Sequence, residues 1–370
     1  MTKFAFILHA ISAKDVARKY KVARVLPDSV VEAIIRRMSA KELSTITGIR
    51  STTGAETEGW FVGCTLTTRQ FVRLDERKTV PKVIEAAELA AELGADIIGL
   101  GAHTAVVGDG GQRVADALQV AVTTGNSYTI ATAVEGALRA ADVMGIVPQE
   151  ATTAIVGATG SIGRVCANLL VEHVGRLVLV GRRKEALDEV AGDVSGNGVP
   201  VEISLSPEES LPQAHIVLTV TSALDAVVEP HMLRPGAVVC DVARPRDVSV
   251  AVAQERDDVL VIEGGAVSVP GEDVRFNFNF GFPDGTAYAC MAETMILALE
   301  GRAEDYSLGK RLTVERVREI SELADKHGFK LSGFRSFERA VDDNTIDRIR
   351  ERAIAHGASL GEPRPIDGRV

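Results

Sequence analysis

Cysteine is sparse and scattered. Cys64, Cys166, Cys240 and Cys290 are the whole supply, and no two of them form a C-x-x-C pair. Zinc-ribbon chemistry is therefore not expected, and a disulfide framework is not expected either, because the opening residues MTKFAFILHAIS read as a first strand rather than a secretory signal. H-E-x-x-H is missing, and no histidine–carboxylate spacing suggests a metal centre, so no protein-bound metal is expected. The opening apolar run is far too short to span a bilayer. There is no internal repeat and no low-complexity tract. A net charge of −10 argues against a general nucleic-acid surface. What remains is a chain of 370 residues, 46% hydrophobic and 25% charged, long enough for two domains. The expectation is a soluble, cytoplasmic globular protein with no nucleic-acid partner and no integral membrane segment.

The chain is organised around residues 153–184, TAIVGATGSIGRVCANLLVEHVGRLVLVGRRK. This reads as strand, glycine turn, helix, strand. Gly157, Gly160 and Gly163 stand at G-x-x-G-x-x-G, within the run Gly157, Ala158, Thr159, Gly160, Ser161, Ile162, Gly163. The first glycine permits a tight turn, the second lets backbone approach a pyrophosphate, and the third lets the helix pack closely on the strand. The alternative is an ordinary βα turn, since turns collect glycine anyway. The flanking strands and helix favour dinucleotide binding. At the end of the second strand, where an NAD enzyme usually carries Asp or Glu, this chain has Gly181-Arg182-Arg183-Lys184. Guanidinium groups suit a 2′-phosphate, so the expected cofactor is NADPH, against a merely solvated basic turn.

Further strands are expected near 3–11, 43–54, 58–68, 96–107, 199–205, 216–220, 237–242 and 259–262. Helices are expected near 13–20, 28–38, 79–93, 129–144, 286–300, 313–327 and 343–356, with the last dozen residues loose. Strand–helix alternation makes the fold class α/β. A central doubly wound parallel-sheet (Rossmann) domain is expected at 151–285, preceded by an N-terminal α/β substrate-binding domain at 1–150. C-terminal helices at 286–342 carry Cys290, and a charged extension occupies 343–370.

Cys290, in TAYACMAETM, is the candidate nucleophile. A thiol near a helix start has its thiolate favoured by the helix dipole, although free cysteine is also among the commonest buried residues. Cys166, Cys240 and Cys64 read as packing. Glu293 is three residues on, on a neighbouring helical position, as a proton-handling group or an exposed glutamate. His9 and His103 end strands, where α/β sites form, and each also reads as a hydrogen-bonded structural residue. Tyr306 and Lys310 copy a Y-x-x-x-K proton-transfer pair, but Gly309 and the polar surroundings argue against the helix interior such a pair needs.

Several blocks together resemble the long-chain acyl-[acyl-carrier-protein] reductases of cyanobacteria. They are Thr123-Thr124-Gly125-Asn126, Val156 to Gly163, Ala289 to Met295, Leu299-Glu300-Gly301 and His327-Gly328-Phe329. Weaker similarity includes His9 and the region of Cys64, so that residues 3–330 are covered in order and the tail is not. The resemblance implies that Cys290 attacks an acyl thioester, that NADPH supplies hydride, and that a fatty aldehyde leaves. Substrate contacts are expected at His9, His103, Thr124 and Asn126, with Glu293 beside the nucleophile. His103 and Met291 depart from the pattern, which has aromatics there, and the departures bear on acyl length. The acyl donor is expected to be an acyl-carrier protein or acyl-CoA. An acidic carrier would need a basic face, either Lys14, Arg18, Lys19, Lys21 and Arg24 or, preferred, Arg69, Arg73, Arg77, Lys78 and Lys82. Two rivals stand beside this reading. One is an NADP-dependent alcohol or ketone dehydrogenase without a covalent intermediate; the other is a non-catalytic nucleotide-sensing or carrier-binding protein.

Overall fold

The computed structural model describes residues 1–13, 15–16, 21–243, 245–309, 312–337 and 339–364. The helix expected at 13–20 falls mostly outside them. Two compact units emerge. The first comprises Met1–Tyr128, Val267–Leu312 and Arg318–Lys330, and the second Thr129–Ala266, Thr313–Val317 and Leu331–Val370. Residues 286–342, expected as one helical region, are shared between the two units. Among the described residues, no helix is long and apolar enough to cross a membrane.

The first unit holds a five-stranded sheet of β1 (Phe4–Ala10), β2 (Lys41–Arg50), β3 (Glu56–Thr67), β4 (Ile97–Leu100) and β5 (Ala121–Thr123), in the order β2-β3-β1-β4-β5. β1 runs parallel to β3 and β4, β4 runs parallel to β5, and β2 closes one edge antiparallel to β3. The composition explains the places. β1 opens with an unbroken apolar run, Phe4 to Leu8, which suits a central strand covered on both faces. β2 mixes exposed and buried positions, as an edge strand can. The helix Glu76–Glu92 lays Val80, Val83, Ala86, Ala87 and Ala90 into the core, and Asp75 caps it by accepting from the Arg77 backbone N–H at 2.8 Å.

β4 is shorter than the expected 96–107 strand. After Gly101 the chain folds into a 3₁₀ turn, Ala102–Ala105. The Thr104 hydroxyl closes that turn, accepting from the Gly101 N–H at 3.0 Å and donating to the Gly101 carbonyl at 2.8 Å. The helix expected from 286 begins three residues later. Thr286–Tyr288 is a short strand and the helix is Ala289–Leu299, nearly all of it buried and packed on β4 and β1. Gly99 permits this approach, since a Cβ there would fall 2.1 Å from the Thr294 hydroxyl oxygen.

The second unit holds six parallel strands, β6 (Thr152–Val156), β7 (Arg176–Val180), β8 (Val201–Ser204), β9 (Ile216–Thr219), β10 (Val238–Asp241) and β11 (Leu260–Glu263). Their order is β11-β10-β9-β6-β7-β8. Counted from β6 as the first, this is the 3-2-1-4-5-6 arrangement of the doubly wound nucleotide fold. Order reverses between β6 and β9, and the expected Rossmann architecture is present. The charged tail is part of this unit. Its helix Asp343–Ala355 is capped by Asp342, and the following segment is bonded, with Gly361 N–H on the Gly145 carbonyl at 2.8 Å and Arg364 N–H on the Asp142 carbonyl at 3.0 Å. As far as Arg364 the expected looseness is therefore replaced by backbone pairing; the residues beyond lie outside the described ones.

Candidate active site

The glycine turn sits at the carboxyl end of β6, where the strand order reverses. Gly157 has φ +90°, and a Cβ on it would lie 3.0 Å from the Val220 carbonyl oxygen just past β9. A Cβ on Gly163 would lie 2.3 Å from the Gly157 carbonyl oxygen, so only glycine lets the helix Ser161–Leu170 start this close to the turn. Gly160 stands at the N-cap, and among the described residues no side chain caps the first turn of Ser161, Ile162 and Gly163. Open backbone N–H groups in a glycine-lined cradle are what a pyrophosphate requires. The turn residues Ala158 and Thr159 lie buried and half-buried beside them. Arg182 and Arg183, past the end of β7, are exposed, with Arg183 at the N-cap of the helix Lys184–Asp193. Lys184 is paired with Asp188 at 2.8 Å.

Two residues here were not singled out from sequence. The Asp247 carboxylate accepts from the Thr221 N–H at 2.8 Å and from the Thr221 hydroxyl, and Thr221 stands beside Gly157. Burial pushes Asp247 up to about 6, opposed by the Thr221 hydrogen bonds and aided by Asp241. The available signal was positional, because residues after the fourth strand of this fold border the nucleotide crevice.

Chemistry in the first unit gathers where parallel strands end. Cys64, Cys166 and Cys240 are buried, and Cys290 is half-buried. Burial pushes the Cys64 and Cys166 thiols each up to about 12, well away from nucleophilic use. Cys290 is the second residue of its helix. Two backbone segments close on it. A Cβ on Gly125, just past β5, would fall 2.3 Å from the Cys290 Cα, and one on Gly101, just past β4, 3.7 Å from the Cys290 Sγ.

Glu293 is fully buried, not exposed. It accepts from the Thr123 hydroxyl at 2.5 Å and from the Tyr128 N–H at 2.8 Å, which fastens the segment after β5 to the Cys290 helix. Burial raises its pKa, against hydrogen bonds from Thr123, Tyr128, Ser307 and Gly125. Thr124 is buried and donates its hydroxyl to the Ser307 carbonyl at 2.5 Å. Asn126 is half-buried at the first turn of the helix Asn126–Met144.

His9 and His103 meet edge to face, ring centroids 5.9 Å apart. The His9 Nδ1 faces the Ala10 carbonyl at 3.1 Å, and its Nε2 accepts from the His103 backbone N–H at 3.2 Å. Those partners assign the proton to Nδ1. Burial lowers the His9 pKa to about 4, which keeps the ring neutral and the Nε2 lone pair in place. His103 is 7% exposed, and its Nδ1 has no hydrogen-bond partner among the described residues.

Tyr306 is buried outside any helix, its hydroxyl donating to Glu319 at 2.8 Å, and Lys310 lies outside the described residues. Of the two basic faces, Lys14, Arg18 and Lys19 also lie outside. On the other, Arg69 is engaged with Glu32, Lys82 with Glu85 and the exposed Arg77 with Asp75 at 3.6 Å, while Arg73 and Lys78 are exposed. Among the described residues, one group has metal-like spacing, Asp257, Asp258 and His356. Asp258 is already held by Arg256 at 2.7 Å and His356 at 2.9 Å, and Asp257 by Arg352 at 3.4 Å, so the group reads as an ion-pair cluster fastening the tail.

Residues 139–263 match the family model described as shikimate / quinate 5-dehydrogenase. The chain is similar to the aminotransferase PigE of Serratia sp., 31% identical over 379 residues, covering 98% of this chain and 43% of PigE. It thus spans less than half the length of that relative. It is also similar to the long-chain acyl-[acyl-carrier-protein] reductase of Synechococcus elongatus, 29% identical over 297 residues, covering 76% of this chain and 85% of that enzyme. Among solved structures, the glutamyl-tRNA reductase of Methanopyrus kandleri is 15% identical with a TM-score of 0.29, over 78% of this chain and 60% of that one. With the strand order and the glycine cradle, the family-model match over 139–263 makes the second unit a nicotinamide-nucleotide-binding fold of the oxidoreductase type.

Proposed function

We propose that the protein is an NADPH-dependent acyl-thioester reductase that releases a fatty aldehyde through an acyl-enzyme on Cys290. The observation that carries this reading is the contrast among the cysteines. Three are sealed in cores, and the fourth lies half-buried at a helix start with two glycines at its back. The Cys290 thiolate attacks the thioester carbonyl, and the donor's thiol departs. Gly157 to Gly163 would hold the pyrophosphate, and Arg182 and Arg183 the 2′-phosphate. A nicotinamide cofactor held there supplies hydride. The resemblance at 29% identity to a named acyl-carrier-protein reductase supports the thioester substrate. The PigE match is compatible, because aminotransferases act on carbonyl compounds and an aldehyde is one. An acidic carrier protein would be recognised by Arg73, Arg77 and Lys78, while coenzyme A would not need that face.

The test is incubation with an acyl thioester in the absence of NADPH, read by intact mass. An acyl adduct that Cys290→Ala abolishes is expected. A wild-type protein that gives no adduct, yet oxidises alcohols with NADP, refutes the covalent reading and favours a simple dehydrogenase. For that rival, the engaged Tyr306 hydroxyl is a poor start.

A further inference from the structure

We propose that His103 is the proton-transfer group of thioester exchange at Cys290, taking the thiol proton and returning it to the departing thiol. The inference rests on the acyl-thioester reading above and adds a catalytic residue to it. Buried histidines are normally satisfied at both ring nitrogens, and the buried His327 follows that rule, as do the half-buried His9 and His215. His9 is bonded at Nδ1 and Nε2, His327 to Ser51 and Glu300 at 2.9 Å each, and His215 to the Thr152 N–H at 3.1 Å and to Arg234 at 2.6 Å. His103, buried like His327, leaves Nδ1 without a hydrogen-bond partner among the described residues. A structural role does not call for that orphan nitrogen; a role toward a bound molecule does.

Its backbone points the same way. Ala102 sits at φ +49°, a left-handed conformation that L-residues adopt at a penalty and that collects at functional sites. The turn Gly101–Thr104 is locked at both ends by the Thr104 hydroxyl, and His9 grips the His103 N–H. Gly101, two residues before His103, is the segment that closes on the Cys290 sulfur. The ring packs against both His9 and Phe71, edge to face on the first at 5.9 Å and stacked on the second at 6.2 Å between centroids. Fixed ring, strained turn and orphan nitrogen thus stand on the segment that meets the nucleophile. Burial lowers the His103 pKa, so the ring is neutral near pH 7 and able to accept a proton.

The step balances. As the Cys290 sulfur bonds the carbonyl carbon, the S–H proton passes to His103. As the tetrahedral adduct collapses, the bond to the donor sulfur breaks and the imidazolium returns the proton to that sulfur. Nothing is oxidised or reduced in the exchange.

The experiment follows acyl-enzyme formation by quenched intact mass, without NADPH, on wild type, His103→Ala and His103→Gln. Two octanoyl thioesters are compared, one of N-acetylcysteamine, whose alkyl thiolate needs a proton to leave, and one of thionitrobenzoate, whose acidic thiolate does not. Both variants are expected to lose about a hundredfold with the alkyl thioester and less than tenfold with the aryl one, the usual range for a lost acid–base group. Equal losses with both esters, or a His103→Gln variant at the wild-type rate, would overturn the role of His103 alone. Absence of any Cys290 adduct in wild type would overturn the acyl-thioester reading and this inference with it.

Discussion

Adding one methyl group at position 125 should disable Cys290 without touching it chemically. Gly125 has φ +72°, where an L-residue is disfavoured by about 1–2 kcal/mol. The new Cβ would fall 2.3 Å from the Cys290 Cα, 2.4 Å from its Cβ and 2.5 Å from its carbonyl oxygen. Two of those three atoms are backbone at the start of a buried helix, so no rotamer change relieves the clash. Overpacking of this kind adds about 1–3 kcal/mol. The expected destabilisation of Gly125→Ala is therefore about 2–5 kcal/mol in total.

Gly54 supplies the control. It has φ +88° in the same unit, and a Cβ there would meet nothing within 4 Å. Gly54→Ala should carry only the conformational penalty, about 1–2 kcal/mol. Urea denaturation of both variants isolates the close approach as the difference. Cys290 acylation adds the functional half. Small displacements of a nucleophile cost on the order of a hundredfold in rate, so Gly125→Ala should acylate far more slowly while Gly54→Ala stays at the wild-type rate. Equal stability losses in the two variants, with acylation intact in Gly125→Ala, would refute the contact and the geometry built on it.

Tyr306→Phe should lower stability by about 1.5–3 kcal/mol, the worth of a hydrogen bond to a charged group, and leave thioester reduction within threefold or so by the same comparison of variants; abolished activity with unchanged folding would revive the dehydrogenase rival. Reversing charge with Arg182→Glu and Arg183→Glu should raise the KM for NADPH roughly ten- to a hundredfold and scarcely move that for NADH, and a parallel change in both would remove the 2′-phosphate role. For Asp247, the rise from 3.8 to about 6 means that the folded chain keeps a proton the unfolded chain has lost. Its stabilising contribution is thus present below about pH 4 and withdrawn as pH rises through 6, a span worth on the order of 3 kcal/mol. Asp247→Asn should flatten the unfolding free energy against pH in that window relative to wild type; identical profiles would show that the residue does not titrate there.

The nucleotide unit was legible because its signals are local. An apolar strand, three glycines at fixed spacing and an arginine pair after the next strand lie within residues 153–184, and each states its own physical purpose. Fold class followed from strand–helix alternation, and the strand order agrees. The Cys290 site was half legible for the opposite reason. The thiol's place at a helix start can be read from the residues around it. What surrounds it cannot, because Gly101 and Gly125 arrive from the ends of β4 and β5, far away in the chain. Glu293 illustrates the same limit. Its spacing from Cys290 left open both a proton-handling role and an exposed surface glutamate, and burial with Thr123 and Tyr128 was invisible until the helix was docked. His103 lay inside an expected strand, and only the turn at Ala102 takes it out of the ladder. The charged helix at 343–356 was legible, but the last dozen residues read as a loose chain end, while Gly145 and Asp142 offered backbone partners that spacing alone does not reveal.

These misses share a cause with a chemical consequence. Two of the segments that meet Cys290, at Gly101 and Gly125, do so through glycine backbone. Such a site holds the nucleophile by close approach and fastens the approaching loop with a carboxylate, Glu293, that never needs to meet substrate. It follows that Glu293→Gln should act by loosening the Thr123–Tyr128 segment. One hydrogen bond to the carboxylate would be lost and a buried N–H left facing an amide, at about 1–3 kcal/mol. Acylation of Cys290 should then slow for alkyl and aryl thioesters alike, because position and not proton transfer has been disturbed. That pattern is the reverse of the one expected for His103, and the same two thioesters tell the two residues apart. A Glu293→Gln variant that discriminated between the esters as His103→Gln is expected to do would assign the proton to the wrong side chain.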